Sequence, residues 1–203
     1  MSDRVRAKQQ VLELAEFCSR KGWLPATSGN LSVRLTNRPS LFFAVTRSGV
    51  DKTALKEADV IVVDEHMSVE SPDEGVPSAE TEVHLKLYER LDCGSVIHVH
   101  TLFNNLMSNL CESEGYVEFR QHELLKALGH WQEDAVLRVP IVPNHADLHQ
   151  LAQAVHAAAS ADCPGVLVVR HGIYAFGETP GAARRHLEAM EFLFEYLWRS
   201  RYR

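Results

Sequence analysis

Apolar positions along the chain alternate between a helical period of about 3.6 and a strand period of 2. Between residues 3 and 21, Val11, Leu14, Ala15, Phe17 and Cys18 fall on one helical stripe, and Gly22 supplies the stop. Leu31–Thr36 and Leu41–Val45 read as strands, joined by the turn signal Asn37-Arg38-Pro39. Val60–Val63 is a short buried strand. Residues 70–77, polar with two prolines and a glycine, predict a loop. Ser78 is placed as the N-cap of a helix to about Leu91, with Glu80 and Glu82 in its first turn. Val96–His100 reads as a strand feeding directly into a helix capped by Thr101. A short helix over Glu123–Leu128 stops at Gly129, and Val136–Val142 is extended. Asn144 is the expected cap of a helix through Ala159. Val166–Arg170 and Ile173–Phe176 form a hairpin around His171-Gly172. Thr179 and Pro180 open a last helix with Ala183, Leu187, Met190, Leu193, Phe194 and Leu197 on one face.

So many hairpin-joined strands exclude an all-parallel sheet. The expected architecture is α/β, three layers deep, with a central mixed and mainly antiparallel sheet and helices on both faces. No G-x-G-x-x-G follows a strand, which removes the dinucleotide-binding reading. The 203 residues are of a length for one domain, taken as 1–203.

Composition narrows the partners. With 45% apolar and 24% charged residues the chain is an ordinary globular one, and its net charge of −6 argues against nucleic acid or an anionic membrane surface as a partner. No apolar run approaches the length of a membrane span, and the N-terminus has no signal-peptide core. Cys18, Cys93, Cys111 and Cys163 are scattered, with no C-x-x-C, and are expected to be reduced thiols in a cytoplasmic protein. The unusual count is eleven histidines.

His98-Val99-His100 is the sharpest of these. On a strand, residues i and i+2 share a face, so two imidazoles stand together and can chelate one divalent ion. The same pair also fits a solvated strand face, but Val96, Ile97 and Val99 make this strand strongly apolar. His171, at the end of another apolar strand and before Gly172, offers a third imidazole. Three histidines with an open position is a catalytic zinc pattern. Three small-residue turns, Thr27-Ser28-Gly29-Asn30, Thr46-Arg47-Ser48-Gly49 and Pro77-Ser78-Ala79-Glu80, offer hydroxyls and backbone N–H groups of the kind that cradle a phosphate. Lys52 and Arg47 add local positive charge. Glu80 and Glu123 are carboxylates placed either to cap helices or to act as acid and base. His84, four residues after Glu80, is either a packing residue or a partner behind the site, and His122 abuts Glu123.

The ordered series Ser28-Gly29-Asn30-Leu31-Ser32, Thr46-x-Ser48-Gly49-Val50, Pro77-Ser78-Ala79-Glu80, Val96-Ile97-His98-Val99-His100-Thr101 and His171-Gly172-x-x-Ala175-x-Gly177 resembles the class II aldolase/adducin superfamily over about residues 8 to 198. Within it, Ser48-Gly49-Val50-Asp51-Lys52 and His122-Glu123-Leu124-Leu125-Lys126 resemble the branch that dehydrates methylthioribulose 1-phosphate in methionine salvage. The resemblance implies a class II aldolase-like fold and a homotetramer. It implies one zinc ion per subunit on His98, His100 and His171. It implies a phosphorylated ketose held by Gly29, Asn30, Ser48, Gly49, Lys52 and Ser78. Glu123 matches the acid/base glutamate of the dehydratase branch, and Glu80 matches the catalytic glutamate of the aldolases. A second serine usual in aldolases is Ala79 here, which removes one hydroxyl. The competing implications are a sugar-phosphate aldolase, a pentulose-phosphate 4-epimerase, or an adducin-like interaction module without catalysis.

Overall fold

The computed structural model describes residues 2–35, 40–70 and 75–201. The turn 37–39 and residues 71–74 of the loop expected at 70–77 lie outside the described residues. Eight strands form one sheet: β1 (Asn30–Arg34), β2 (Phe42–Thr46), β3 (Val60–Asp64), β4 (Ser95–Val99), β5 (Tyr116–Arg120), β6 (Val136–Val142), β7 (Gly165–Val168) and β8 (Gly172–Gly177). Their order is β3-β2-β1-β4-β8-β7-β6-β5. Every pairing is antiparallel except β6 with β7, so the sheet is mixed and mainly antiparallel as expected.

The helices are α1 (Asp3–Arg20), α2 (Thr81–Arg90), α3 (Leu102–Leu110), α4 (Leu148–Ala158) and α5 (Pro180–Arg201). Strand alternation sorts the buried side chains into two cores, one on each face of the sheet. Leu31, Val33, Ile97, Val99, Ile173 and Ala175 pack with residues of α1, α3 and α5. Phe43, Val45, Val96, Val166, Tyr174 and Phe176 pack with α2 and α4 on the other face. Three layers result because the strands from β3 across to β7 are buried on both faces, leaving no polar stripe there that water could solvate.

Local signals explain most boundaries. Thr101 caps α3 by accepting from the Asn104 N–H, and Thr179 Oγ1 accepts from the Ala182 N–H at 3.1 Å at the start of α5. Two expected caps are corrected. Asp147, not Asn144, caps α4, because its carboxylate reaches the N–H groups of His149 and Gln150. The N-cap position of α2 is held by Glu80, not Ser78; the Ser78 carbonyl instead accepts from the Thr81 N–H and hydroxyl. Strand β5 has no counterpart among the expected elements. Its Val117 and Phe119 point into the core between outward Glu118 and Arg120, a short alternation readable after Gly115.

One carboxylate lies inside the helical layer. Glu191 of α5 accepts from Thr101 Oγ1 at 2.5 Å and Asn104 Nδ2 at 2.9 Å, tying α5 to the first turn of α3. Burial pushes its carboxyl up to about 7, against the smaller pull of those two hydrogen bonds. Because the folded pKa lies above the ordinary value of 4.5, the folded state is favoured most at pH below 4.5 and loses that advantage as pH rises through about 7. Glu191→Gln, compared with the parent by urea unfolding at about pH 5.5 and about pH 8.5, should gain ~1–3 kcal/mol relative to the parent between the two. An unchanged difference would show that Glu191 ionises freely.

Candidate active site

The site is built on one line of register across three strands. Asn30 of β1 and Tyr174 of β8 are the direct neighbours of His98 on β4, so all three side chains rise from the same face. Tyr174 stacks on the His98 ring with centroids 4.0 Å apart. Glycines on both sides let the backbone approach. A Cβ on Gly29, at φ +80°, would lie 2.7 Å from the His98 carbonyl oxygen, and one on Gly172 would lie 2.4 Å from the Val99 carbonyl oxygen.

Strand β4 ends at Val99, and His100 follows it. His171 closes the three-residue turn between β7 and β8, after Arg170 at φ +51°. A left-handed non-glycine residue beside a functional group is stored strain, and α3 holds the turn: Ser108 Oγ accepts from the Arg170 N–H at 3.1 Å, and Asn105 Nδ2 donates to the His171 carbonyl at 2.9 Å. The imidazoles of His98, His100 and His171 thus converge, with one ligand atom of each lying within 4.8 Å of the others.

Glu80 joins them from the start of α2. Its side chain makes no cap bond because it turns to the sheet. Oε2 accepts from Asn30 Nδ2 at 2.8 Å and from the Tyr174 hydroxyl at 2.9 Å, and lies 3.2 Å from His98 Nε2; Oε1 lies 3.3 Å from His171 Nε2. Burial opposes its ionisation, but hydrogen bonds from His171 and Asn30 hold the carboxyl below the usual carboxylate range. The N-terminal end of α2 favours the same charge.

The donor set fits a divalent cation. His98 Nδ1 donates to the Ile173 carbonyl at 3.0 Å, which leaves its Nε2 lone pair facing Glu80 and 2.8 Å from His100 Nε2. Burial lowers His98 to about 4 and His100 to about 3, so both are neutral near pH 7. Two acceptors, the bare Nε2 and a carboxylate oxygen, therefore face each other, and a cation satisfies both. His171 Nδ1 is buried with no hydrogen-bond partner among the described residues.

The three small-residue turns also come together. Leu31 N donates to Thr46 Oγ1, and a bridge joins Arg47 to Pro77. The expected supply of backbone N–H groups is reduced by this pairing. Ser48 N is spent on the Val76 carbonyl and Ser78 N on the Thr46 carbonyl. Hydroxyls remain at Ser48 and Ser78, and Ser28 Oγ is buried without a partner among the described residues. Gly49 is exposed. Lys52 is buried; burial lowers its pKa, while Asp51 and Glu80 pull it back up.

Glu123 lies elsewhere. It begins a 3-10 helix, Glu123–Leu128, where its largely exposed carboxylate pairs with Lys126 at 2.9 Å. The neighbouring His122 ring packs on Phe192 and Tyr196 of α5, and Phe192 lines a cleft with Thr101 and Leu102, just beyond His100. So the structure gathers His98, His100, His171, Glu80 and Asn30, and leaves Glu123 outside their contacts. Tyr174 is the site residue that sequence reasoning missed, because a tyrosine in an apolar strand reads as core.

Loading with a divalent metal should raise the melting temperature, with stabilisation of ~2.7 kcal/mol at a hundredfold excess over Kd. His98→Ala should abolish both the shift and stoichiometric metal by elemental analysis. Full metal retention in that variant would sink the three-histidine site.

Comparison with known proteins identifies the family. The model of the class II aldolase and adducin N-terminal domain matches residues 9–198. Methylthioribulose-1-phosphate dehydratase of Persephonella marina is 47% identical over 177 residues, 87% of this chain and 82% of that protein. The protein of the same name from Bacillus subtilis is 41% identical over 189 residues, covering 93% and 90%. Among solved structures, an L-fuculose 1-phosphate aldolase superposes with a TM-score of 0.74 at 24% identity, covering 94% of this chain and 84% of that one. YgbL of Escherichia coli superposes at 0.81 and 21%, covering 98% and 90%. At such identities these superpositions speak for the fold alone. With the family model spanning nearly its whole length and full-length relatives above 40% identity, the chain belongs to the class II aldolase/adducin family, in its methylthioribulose-1-phosphate dehydratase branch.

Proposed function

We propose that the chain is a hydro-lyase that converts 5-methylthioribulose 1-phosphate to 2,3-diketo-5-methylthiopentyl 1-phosphate, a step of methionine salvage. The observation that carries the reading is the convergence of His98, His100, His171 and an ionised Glu80 at one end of the sheet, in a chain up to 47% identical to proteins of that name.

The residues divide the work by chemistry. Lys52 and the hydroxyls of Ser28, Ser48 and Ser78 provide the polar side for the substrate phosphate, beside Gly29, Asn30 and Gly49. His98, His100 and His171 would hold the metal, taken as zinc, which when bound supplies Lewis acidity toward the substrate oxygens. Glu80 is ionised and rigidly held, so it is suited to take the proton from C3. The C3–H electrons then form the C3–C4 double bond as the C4 hydroxyl departs with a proton as water. The resulting enol gives its O–H proton up and regains one at C4, yielding the ketone at C3. Glu123, exposed and paired with Lys126 within one chain, is assigned as the acid that protonates the departing hydroxyl.

Exposed Leu102, Trp131, Phe192 and Tyr196 support self-association, proposed as a homotetramer. Four free thiols support a cytoplasmic setting, and among the described residues no helix is long and apolar enough to cross a membrane.

Zinc-loaded protein given 5-methylthioribulose 1-phosphate should release the diketone. Cleavage of the carbon chain instead would return the reading to the aldolases. Glu80→Gln should lower kcat by roughly 10²–10⁴-fold, the range for a positioned acid or base. Glu123→Gln at parental rate would leave Glu80 as the one carboxylate of the reaction.

A further inference from the structure

Behind Glu80 and Asn30 lie His84, Ser32 and Tyr88, buried polar residues that the reaction does not touch. Glu80, His84 and Tyr88 recur every four residues on one face of α2, roughly 6 Å apart. Asn30 and Ser32 recur every two residues on one face of β1, roughly 6.6 Å apart. The two repeats nearly match, so helix and strand side chains interlock. His84 and Ser32 are completely buried, and Asn30 and Tyr88 nearly so.

Contacts run through the row without a gap. Asn30 Nδ2 meets Glu80 Oε2 at 2.8 Å, and Asn30 Oδ1 meets His84 Nε2. His84 Nδ1 is 2.6 Å from Ser32 Oγ, which is 2.7 Å from the Tyr88 hydroxyl. The proton order follows from one end. Asn30 presents its NH2 to Glu80 and its carbonyl to His84. That carbonyl requires a proton on His84 Nε2. His84 is neutral near pH 7, burial having lowered it to about 4; its Nδ1 is therefore bare and accepts the Ser32 O–H. Ser32, its proton used, accepts from Tyr88. Tyr174, edge-on to the His84 ring, donates the second hydrogen bond to Glu80.

We propose that His84 is a positioning residue: as the Nε2–H tautomer it closes a one-way hydrogen-bond chain from Tyr88 through Ser32, His84 and Asn30 that locks the Asn30 amide and aims the Glu80 carboxylate at the three histidines. A reversed His84 would turn the Asn30 carbonyl onto Glu80, acceptor against acceptor, and release the carboxylate from its place. The proposal rests on the reading above only in taking Glu80 as a working group.

The chain is read directly by nitrogen-15 NMR of the zinc-loaded protein, the His84 signals being those lost in His84→Gln. The expected result is a protonated Nε2 and a bare Nδ1, unchanged between about pH 6 and pH 8. A proton on Nδ1, or a charged ring in that range, overturns the proposal. This measurement needs no substrate, so it stands apart from the dehydratase assay, whose failure would remove the reaction and not the tautomer. Kinetics supply a second test. Glutamine can place an N–H near the Nε2 position, while asparagine reaches only the Nδ1 position. His84→Gln should keep more of kcat than His84→Asn, which should lose about tenfold with KM within about twofold of the parent. Equal losses in the two variants, or a loss confined to thermal stability, would overturn it.

Discussion

The structure depends on the pairing register that sets His98 between Asn30 and Tyr174. A shift of β1 or β8 by one residue against β4 would turn its side chains to the opposite core. A β1 shift would take the Asn30 donor from Glu80, and a β8 shift would take Tyr174 from both Glu80 and the His98 ring. The register is held by burial on both faces, since β4 and β8 are buried along their whole lengths and mostly apolar. The chemistry at the strand end is in this sense a by-product of core packing further along the same strands.

Electrostatics then decide how the cluster behaves. Four groups that accept hydrogen bonds or bind cations meet where burial keeps His98 and His100 from taking a proton at neutral pH. The usual relief for such crowding is protonation, and here burial makes it expensive. A metal ion supplies the missing positive charge without requiring any imidazole to ionise. On the function proposed above, charge at the phosphate end would be handled differently, by Lys52 and hydroxyls in turns whose backbone is already paired. The overall net charge of −6 is no obstacle to a phosphorylated substrate, because the positive charge is placed locally.

Much of this was legible in the chain. The His-x-His strand, the glycine after His171 and the cap at Thr101 are local patterns, and local patterns survive folding. The layer order was legible because hairpin signals and helical stripes alternate cleanly. Ser78 and Asn144 misled as caps because each lies a few residues ahead of the true cap in a segment rich in capping residue types; tertiary contacts chose Glu80 and Asp147. Tyr174 was invisible because its role comes from register with His98, 76 positions away in sequence by the numbering, and register is not encoded within either strand alone. Glu123 had the reverse fate: a motif marked it, and the fold within one chain leaves it exposed and paired with Lys126.

The cluster is held from both faces of the sheet. On one side α2 brings Glu80; on the other, α3 grips the His171 turn through Asn105, while α5 fastens the residue after His100 through Glu191 and Thr101. Neither helical layer can detach without spreading the ligands apart. An ion bound there would therefore couple two hydrophobic cores that share only the sheet between them, and a visible-absorbing metal such as cobalt(II) would act as a gauge of their mutual cooperativity. A colour change ahead of global unfolding would reveal one layer loosening first; a change coincident with it would mark the two layers as a single folding unit.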